Sequence, residues 1–189
     1  MSAPPSRIYG GPSHPADRAV LQLPPSDDVT PPPGAEVPAG QSSQYPCPLP
    51  EHNEFRVHRC LTTRSCDDDR TGHISIVACY SLFDTALTSW LMSSSGLDLR
   101  NHVRIPVLAE TSCQFVAPLS FPEMVSVGIG LARLGQTSVV YRLGLFRVED
   151  GPGRGVLAVA RFVQVYVDAI TRKPATIPHE IIRALQELA

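Results

Sequence analysis

Three consecutive carboxylates, Asp67, Asp68 and Asp69, run into Thr71-Gly72-His73 within the stretch SCDDDRTGHISIVACYSLFDTALTSWL, residues 65–91. Like charges side by side repel one another, so a loop with a purely structural task has little reason to stack them. A helix start gives such a cluster a use. The first backbone N–H groups of a helix have no partner, and the helix dipole favours negative charge beside them. Donors of this kind around Ile74 to Ile76 can bind the oxyanion that develops when a carbonyl is attacked. A carboxylate next to them can draw a proton from water or attack the carbonyl itself. Together these groups make up much of a hydrolytic centre. Plain capping and solvated charge also suit the same residues. A helix end lowers a carboxylate's pKa, whereas burial and neighbouring carboxylates raise it.

The elements that would hold this cluster follow from periodicity. Cys79, Leu82, Phe83, Ala86, Leu87, Trp90 and Leu91 fall on one apolar helix face. The helix expected from about His73 to Leu91 is about 19 residues and roughly 28 Å long, with Gly96 as its C-terminal cap. Before it, EFRVHRCLTT alternates, with Phe55 and Val57 on one face and Arg56 and His58 on the other. Four strand-like runs follow it. Their single-face sets are Val107, Ala109, Thr111, Cys113 and Phe115; Val125, Val127, Ile129 and Leu131; Val139, Tyr141, Leu143 and Leu145; and Val159, Val163, Val165 and Val167. The connections RLGQTS and EDGPGRG are glycine-bearing and too short for crossover helices, so the strands read as antiparallel. A short helix in IPHEIIRALQELA, with Pro178 near its first turn, closes the chain. Only the long helix can cover the sheet. The pattern predicts an α+β chain of the hotdog type, a curved antiparallel sheet wrapped around a central long helix. A ferredoxin-like fold would need a second long helix between strands.

Composition narrows the function classes. The chain has 189 residues, 43% hydrophobic, with a formal net charge of -2. That balance leaves no basic footprint for nucleic acid or an anionic membrane surface. No apolar run approaches the roughly 18 residues of a membrane span, and the N-terminal residues lack the apolar core of a secretory signal. An intracellular, cytoplasmic protein is expected. Most of the 19 prolines precede residue 50. Residues 1–50 are therefore expected to be a disordered or polyproline-like tail, and residues 51–189 the folded domain. TPPPGAEVP in the tail has the composition of a ligand for a proline-reading domain, beside the plainer reading of a solvated tail. The five cysteines, Cys47, Cys60, Cys66, Cys79 and Cys113, are scattered and form no C-x-x-C pair. They read as reduced thiols and not as a disulfide framework or a metal site.

The residues also carry a resemblance. TTRSCDDDRTGHISIVACYSLFDTALTSWL resembles the opening of the hotdog acyl-CoA thioesterases of the 4-hydroxybenzoyl-CoA thioesterase type. Their usual pattern is T-R-x-x-D-x-D-x-x-G-H-V-N-N, followed by a tyrosine and an F-D or F-E pair. Arg64, Asp67, Asp69, Gly72, His73, Tyr80 and Phe83-Asp84 occupy those places, and the likeness extends over about residues 54 to 188. It implies hydrolysis of a coenzyme A thioester, with Asp69 as general base or nucleophile. Gly72, His73 and the backbone at Ile76 would complete the catalytic group, with no cofactor beyond the coenzyme A of the substrate. It further implies a homodimer or homotetramer with sites built between subunits. Thr137 and Ser138 match a family position near the pantetheine arm. Where the family has two asparagines this chain has Ser75 and Ile76, a change that spares backbone donors.

Other residues can serve the same site. Tyr80 and Asp84 lie seven and eleven positions after His73 and so share its helix face, as substrate-facing groups. Asp84 is also similar in place to the helix-borne acid of another hotdog thioesterase group, whose preceding H-G-G is absent here. Arg133, Arg172 and Lys173 have the charge to meet coenzyme A phosphates. Two alternatives stand beside hydrolysis. One is a degenerate hotdog that binds acyl-CoA or a protein partner. The other is a hotdog enoyl-CoA hydratase using Asp68 and His73, whose five-residue spacing fits but whose usual intervening N-P is missing.

Overall fold

The structure is a computed structural model and describes residues 48–150 and 155–188. All but the end of the proline-rich segment, and Cys47 with it, lie outside those residues. Strand β1 (Val57–Thr62) is followed by helix α1 (Ile76–Ser95) and by strands β2 (Arg104–Phe115), β3 (Met124–Leu134), β4 (Ser138–Arg147) and β5 (Ala158–Asp168). A short helix, α2 (His179–Leu185), and a final 3-10 turn end the described chain. The five strands form one sheet in the order β1-β3-β4-β5-β2, antiparallel at every pairing. This is the expected hotdog arrangement. Among the described residues no helix is long and apolar enough to cross a membrane.

The sheet closes over α1 because both present apolar faces at matching periods. Ala78, Cys79, Leu82, Phe83, Ala86, Leu87, Trp90 and Leu91 are buried on the helix. Val125, Val127, Ile129, Val139, Tyr141, Leu143 and Leu145 meet them from β3 and β4. Each large side chain buried in this way contributes about 1.5–3 kcal/mol. At the far end Gly96 takes φ 70°, and its N–H donates to Met92 O at 3.0 Å, ending the helix where a left-handed residue is needed.

Four expectations change. The helix starts at Ile76, three residues later than the sequence suggested, because residues 69–75 are held in a loop. Asp69 and His73 close a turn through Asp69 N–H to His73 O at 2.7 Å, and Ile74 N–H donates to Leu119 O at 2.7 Å. On β5 the row of valines does not face the helix. Ala158, Ala160, Phe162, Gln164 and Tyr166 are buried on the core side, while Val159, Val163 and Val165 are half-buried on the opposite face. On β2 a bulge between Leu108 and Glu110 breaks the alternation. It leaves Val107 opposite Val165 on the outer face, while Thr111, Cys113 and Phe115 stand opposite core-side residues of β5.

The remaining difference concerns Phe55, which does not share a strand face with Val57. It follows a 3-10 turn (His52–Glu54) and folds its ring onto the sheet's outer face. Gly128 and Gly144, paired directly across β3 and β4, leave the space for it. A Cβ at Gly128 would lie 2.6 Å from the ring and one at Gly144 2.8 Å. Around the ring, Arg142 sits over the aromatic face at 5.3 Å and pairs with Glu54 at 2.5 Å. His58 Nε2 meets Phe55 O at 2.9 Å, and His52 stacks on His58 with ring centroids 3.8 Å apart. Residues 52–55 thus form a strap across the outer face.

Candidate active site

The acidic run divides into three carboxylates with different tasks. Asp67 is buried and grips Arg64, accepting from Arg64 N–H and Nη2 at 2.8 Å each. The guanidinium holds its carboxyl below the ordinary range. Its backbone oxygen also accepts Ser75 N–H at 2.8 Å. Asp67 is therefore the anchor between the strand end and the helix entry. Asp68 Oδ1 accepts Phe121 N–H at 3.1 Å, tying the run to the loop before β3.

Asp69 is exposed and built differently. Its Oδ1 accepts Thr71 Oγ1 at 2.6 Å, Thr71 N–H at 2.7 Å and His73 N–H at 3.3 Å. Oδ2 has no hydrogen-bond partner among the described residues. The hydroxyl of Thr71, then its amide, lowers the Asp69 pKa below the ordinary carboxylate value. The opposing influences noted from sequence therefore resolve toward the ionised form. Gly72 supplies the turn with φ 78°, a left-handed conformation suited to glycine. Thr71 Oγ1 lies 3.1 Å from His73 Nδ1, and Ser120 Oγ donates to Gly72 O at 2.9 Å.

The helix entry decides which backbone donors remain. Ile74 and Ser75 amides are taken by Leu119 O and Asp67 O, and Ala78 N–H donates to Ser75 Oγ at 3.2 Å. Ser75 is the N-cap, a role its short hydroxyl side chain suits. The amides of Ile76 and Val77 are the first-turn donors without a partner among the described residues. His73, Ile74, Ile76 and Cys79 border a cavity of about 390 Å³ closed on its other side by Phe115, Val116 and Leu157. The cavity is largely apolar. Burial raises the Cys79 thiol pKa and pushes that of Cys113 up to about 11, so neither is a thiolate at neutral pH.

The remaining predicted residues divide between two places. Tyr80 and Asp84 continue the line of Ile76 along α1; Tyr80 stacks on Phe162 of β5, centroids 6.0 Å apart. Asp84 borders a second cavity, of about 570 Å³, between α1 and β2. Arg133, exposed near the end of β3, and Thr137 and Ser138, at the β3–β4 turn, line neither of these two cavities. Sequence reasoning passed over Thr71, although the D-x-T spacing is that of an Asx turn. It also passed over Gln164, whose place at the cavity that Asp84 borders is set by the fold alone.

Comparison with known proteins agrees with this architecture. A family model described as the thioesterase-like superfamily matches residues 62–185. The crystal structure of the PA5185 protein from Pseudomonas aeruginosa is 35% identical, with a TM-score of 0.71 over 75% of this chain and 96% of that one. The chain belongs to the thioesterase-like superfamily. Two more distant structures share the fold. Slr0204, a 1,4-dihydroxy-2-naphthoyl-CoA thioesterase from Synechocystis, is 21% identical with a TM-score of 0.62, over 71% of this chain and 96% of that one. SAV2348 from Staphylococcus aureus, solved in complex with CoA, is 14% identical with a TM-score of 0.62, over 69% and 82% of the two chains. No curated protein matches the chain.

Proposed function

We propose that this protein hydrolyses acyl-coenzyme A thioesters, with Asp69 delivering the nucleophile and the Ile76 and Val77 amides binding the oxyanion. The observation that carries the reading is the division of labour within Asp69. One oxygen is fixed by three donors from Thr71 and His73, and the other is left to act. A thioester carbonyl at the helix start lies in the cavity bordered by His73 and Ile76. Asp69 either takes a proton from water as it attacks, or attacks the carbonyl and is released by water. In both routes the tetrahedral oxyanion forms against the two free amides and collapses with the C–S bond broken. As general base, Asp69 passes the proton taken from water to the departing thiolate. In the covalent route coenzyme A leaves as thiolate and takes its proton from solvent, and water hydrolyses the Asp69 acyl anhydride to the free acid. The coenzyme A thioesterase of Synechocystis and the CoA complex of the Staphylococcus protein support that choice of leaving group.

The proposed working unit is a homodimer, or a homotetramer built from it. Strand β2 is a 12-residue edge without a partner on its outer side among the described residues, and Val103, Val107, Leu108 and Phe115 on or beside it are exposed. An edge of this length and character favours pairing with a second copy.

Thiol release from short, long and aromatic acyl-CoAs tests the activity directly. The substitution Asp69→Asn keeps size and removes charge, and is expected to lower turnover by about 10²–10⁴. Turnover unaffected by the substitution would remove Asp69 from the chemistry. Absence of turnover on every substrate, with binding retained, would make the chain a binder.

A further inference from the structure

Strand β4 carries Val139, Tyr141, Leu143 and Leu145 on the face that meets α1. Two residues further, on the same face by the period of a strand, stands Arg147, directly across from the fully buried Val125 of β3. A charge at the end of a row of core side chains is unfavourable unless its donors find acceptors. The Arg147 side chain is 27% exposed, and its donors are directed at the segment 116–123 between β2 and β3. Nε donates to Glu123 Oε2 and Nη2 to Pro118 O at 2.5 Å, with Asp150 Oδ2 at 3.9 Å from Nη1. The guanidinium fork thus holds both ends of residues 118–123, a task that its rigid planar geometry suits. Glu123 closes the bracket. Its Oε1 accepts Ser120 N–H at 3.1 Å, and its backbone oxygen accepts Thr63 Oγ1 at 2.7 Å.

What this bracket holds is the Asp69 turn. Leu119 O accepts Ile74 N–H at 2.7 Å, Ser120 Oγ donates to Gly72 O at 2.9 Å, and Phe121 N–H donates to Asp68 Oδ1 at 3.1 Å. The three bonds reach the turn on both sides of Asp69, and each comes from a residue inside the span that Arg147 and Glu123 close. They fix the backbone from which Thr71 and His73 donate to Asp69 Oδ1 and from which the helix starts at Ile76. Val116, Pro118 and Leu119 of the same segment border the cavity at the helix start, whereas Arg147 does not line it. Arg147 therefore bears on the carboxylate, the amides and the cavity wall together, through the segment and without touching the reacting carbonyl.

We propose that Arg147 is a positioning residue of the hydrolytic centre, setting Asp69 against the Ile76 and Val77 amides through residues 118–123. The inference rests on the thioesterase reading above. A misplacement of about 1 Å between reacting groups is enough to lower a rate about 10²-fold. Opening the bracket should therefore lower kcat far more than it raises KM.

The test compares the full chain with Arg147→Met, Ser120→Ala and the double variant, in thiol release from the best acyl-CoA of a short, long and aromatic panel. Arg147→Met keeps a long apolar stem and removes the fork. Its kcat is expected to fall about 10- to 100-fold with KM little changed, the pattern of an interaction made only in the transition state. Ser120→Ala, whose lost hydroxyl makes one bond to the turn, should show a smaller fall of the same kind. The double variant should fall no further than Arg147→Met alone, because both act through one segment. Loosening the Thr71 and His73 donors also raises the Asp69 pKa. NMR of the Asp69 carboxyl should therefore show titration at higher pH in both single variants, whether or not a substrate is turned over. Where Arg147→Met fails to fold, Glu123→Gln weakens the same bracket and is read in the same way. A lowered melting temperature with kcat, KM and the Asp69 titration unmoved would make Arg147 merely structural and overturn the inference. A change confined to KM, or strictly additive losses in the double variant, would overturn it as well. Absence of thiol release from every acyl-CoA would instead refute the underlying activity, while the Asp69 titration still decides whether Arg147 holds the turn.

Discussion

Phe55 and Phe115 are both aromatic residues at the margin of one sheet, yet Phe55 is 4% exposed and Phe115 46%. The first lies on the outer face, where paired glycines, Arg142, Glu54 and two stacked histidines close around it. The second ends the unpaired edge strand and borders the cavity at the helix start. Around Phe55 the neighbouring groups have found their partners within the chain. Between α1 and β2 they have not: the outer edge of β2 and Gln164 Oε1 have no partner among the described residues, and Ile76 and Val77 are exposed. A chain that closes so tightly around one ring has no general difficulty in burying apolar surface. The open side at α1 and β2 is thus where partners from outside the chain, substrate and second subunit, are expected.

The contrast predicts where substitutions hurt stability and where they hurt function. The largest stability effect belongs to the strap. Phe55→Ala should lose about 3 kcal/mol in urea unfolding, by the cavity it leaves. Gly128→Val should cost about 1–3 kcal/mol by overpacking against the ring. In the double variant the valine should cost less, because the ring it collides with is gone. A coupling above about 0.5 kcal/mol is expected, and strictly additive losses would show that the ring is not held in the slot.

Function should be the sensitive property at the helix start. Asp69 must be ionised to act, and the Thr71 hydroxyl is the largest influence holding its pKa down. The wild-type rate should therefore stay level as pH falls through 5 and decline only in stronger acid. Thr71→Val removes that donor, raises the Asp69 pKa, and should move the acid limb of kcat/KM to higher pH. An unmoved limb would assign the acid titration to another group. The smallest stability effect is expected on the edge. Val107→Lys should change monomer stability by no more than about 0.5 kcal/mol, while light scattering registers loss of the dimer. A monomer mass for the wild type at micromolar concentration would refute the assembly itself.

Much of the fold was legible because helix and strand periods differ. The buried face of α1 could be read residue by residue, and β3 and β4 carried their core sets in plain alternation. The errors arose where two physical readings share one pattern. On β5 both faces are apolar, so valine alternation could not say which faces the helix. Phe55 continues the alternation of β1 in sequence, but the turn at His52–Glu54 and two glycines distant in sequence take it to the outer face. The helix entry was misplaced because Thr71-Gly72-His73 resembles a first turn, whereas Leu119 and Asp67 hold the following amides in a loop. The candidate site divides the same way. The acidic motif was visible locally, and only the fold brought Gln164 to the cavity that Asp84 borders.

The strap also bears on how such chains change over generations. Gly128 and Gly144 face one another, and the ring of Phe55 fills the room of the two side chains they lack. Inheritance should therefore treat Gly128 and Phe55 as one compensating pair, whereas Gly144 is bounded by Phe146 as well as by the Phe55 ring. A lineage that loses the aromatic ring is free to place a larger residue at position 128, and one that gains a side chain there must relocate the ring. Homologues are expected to fall into two groups, glycine with the ring or a side chain without it, with few intermediates between them.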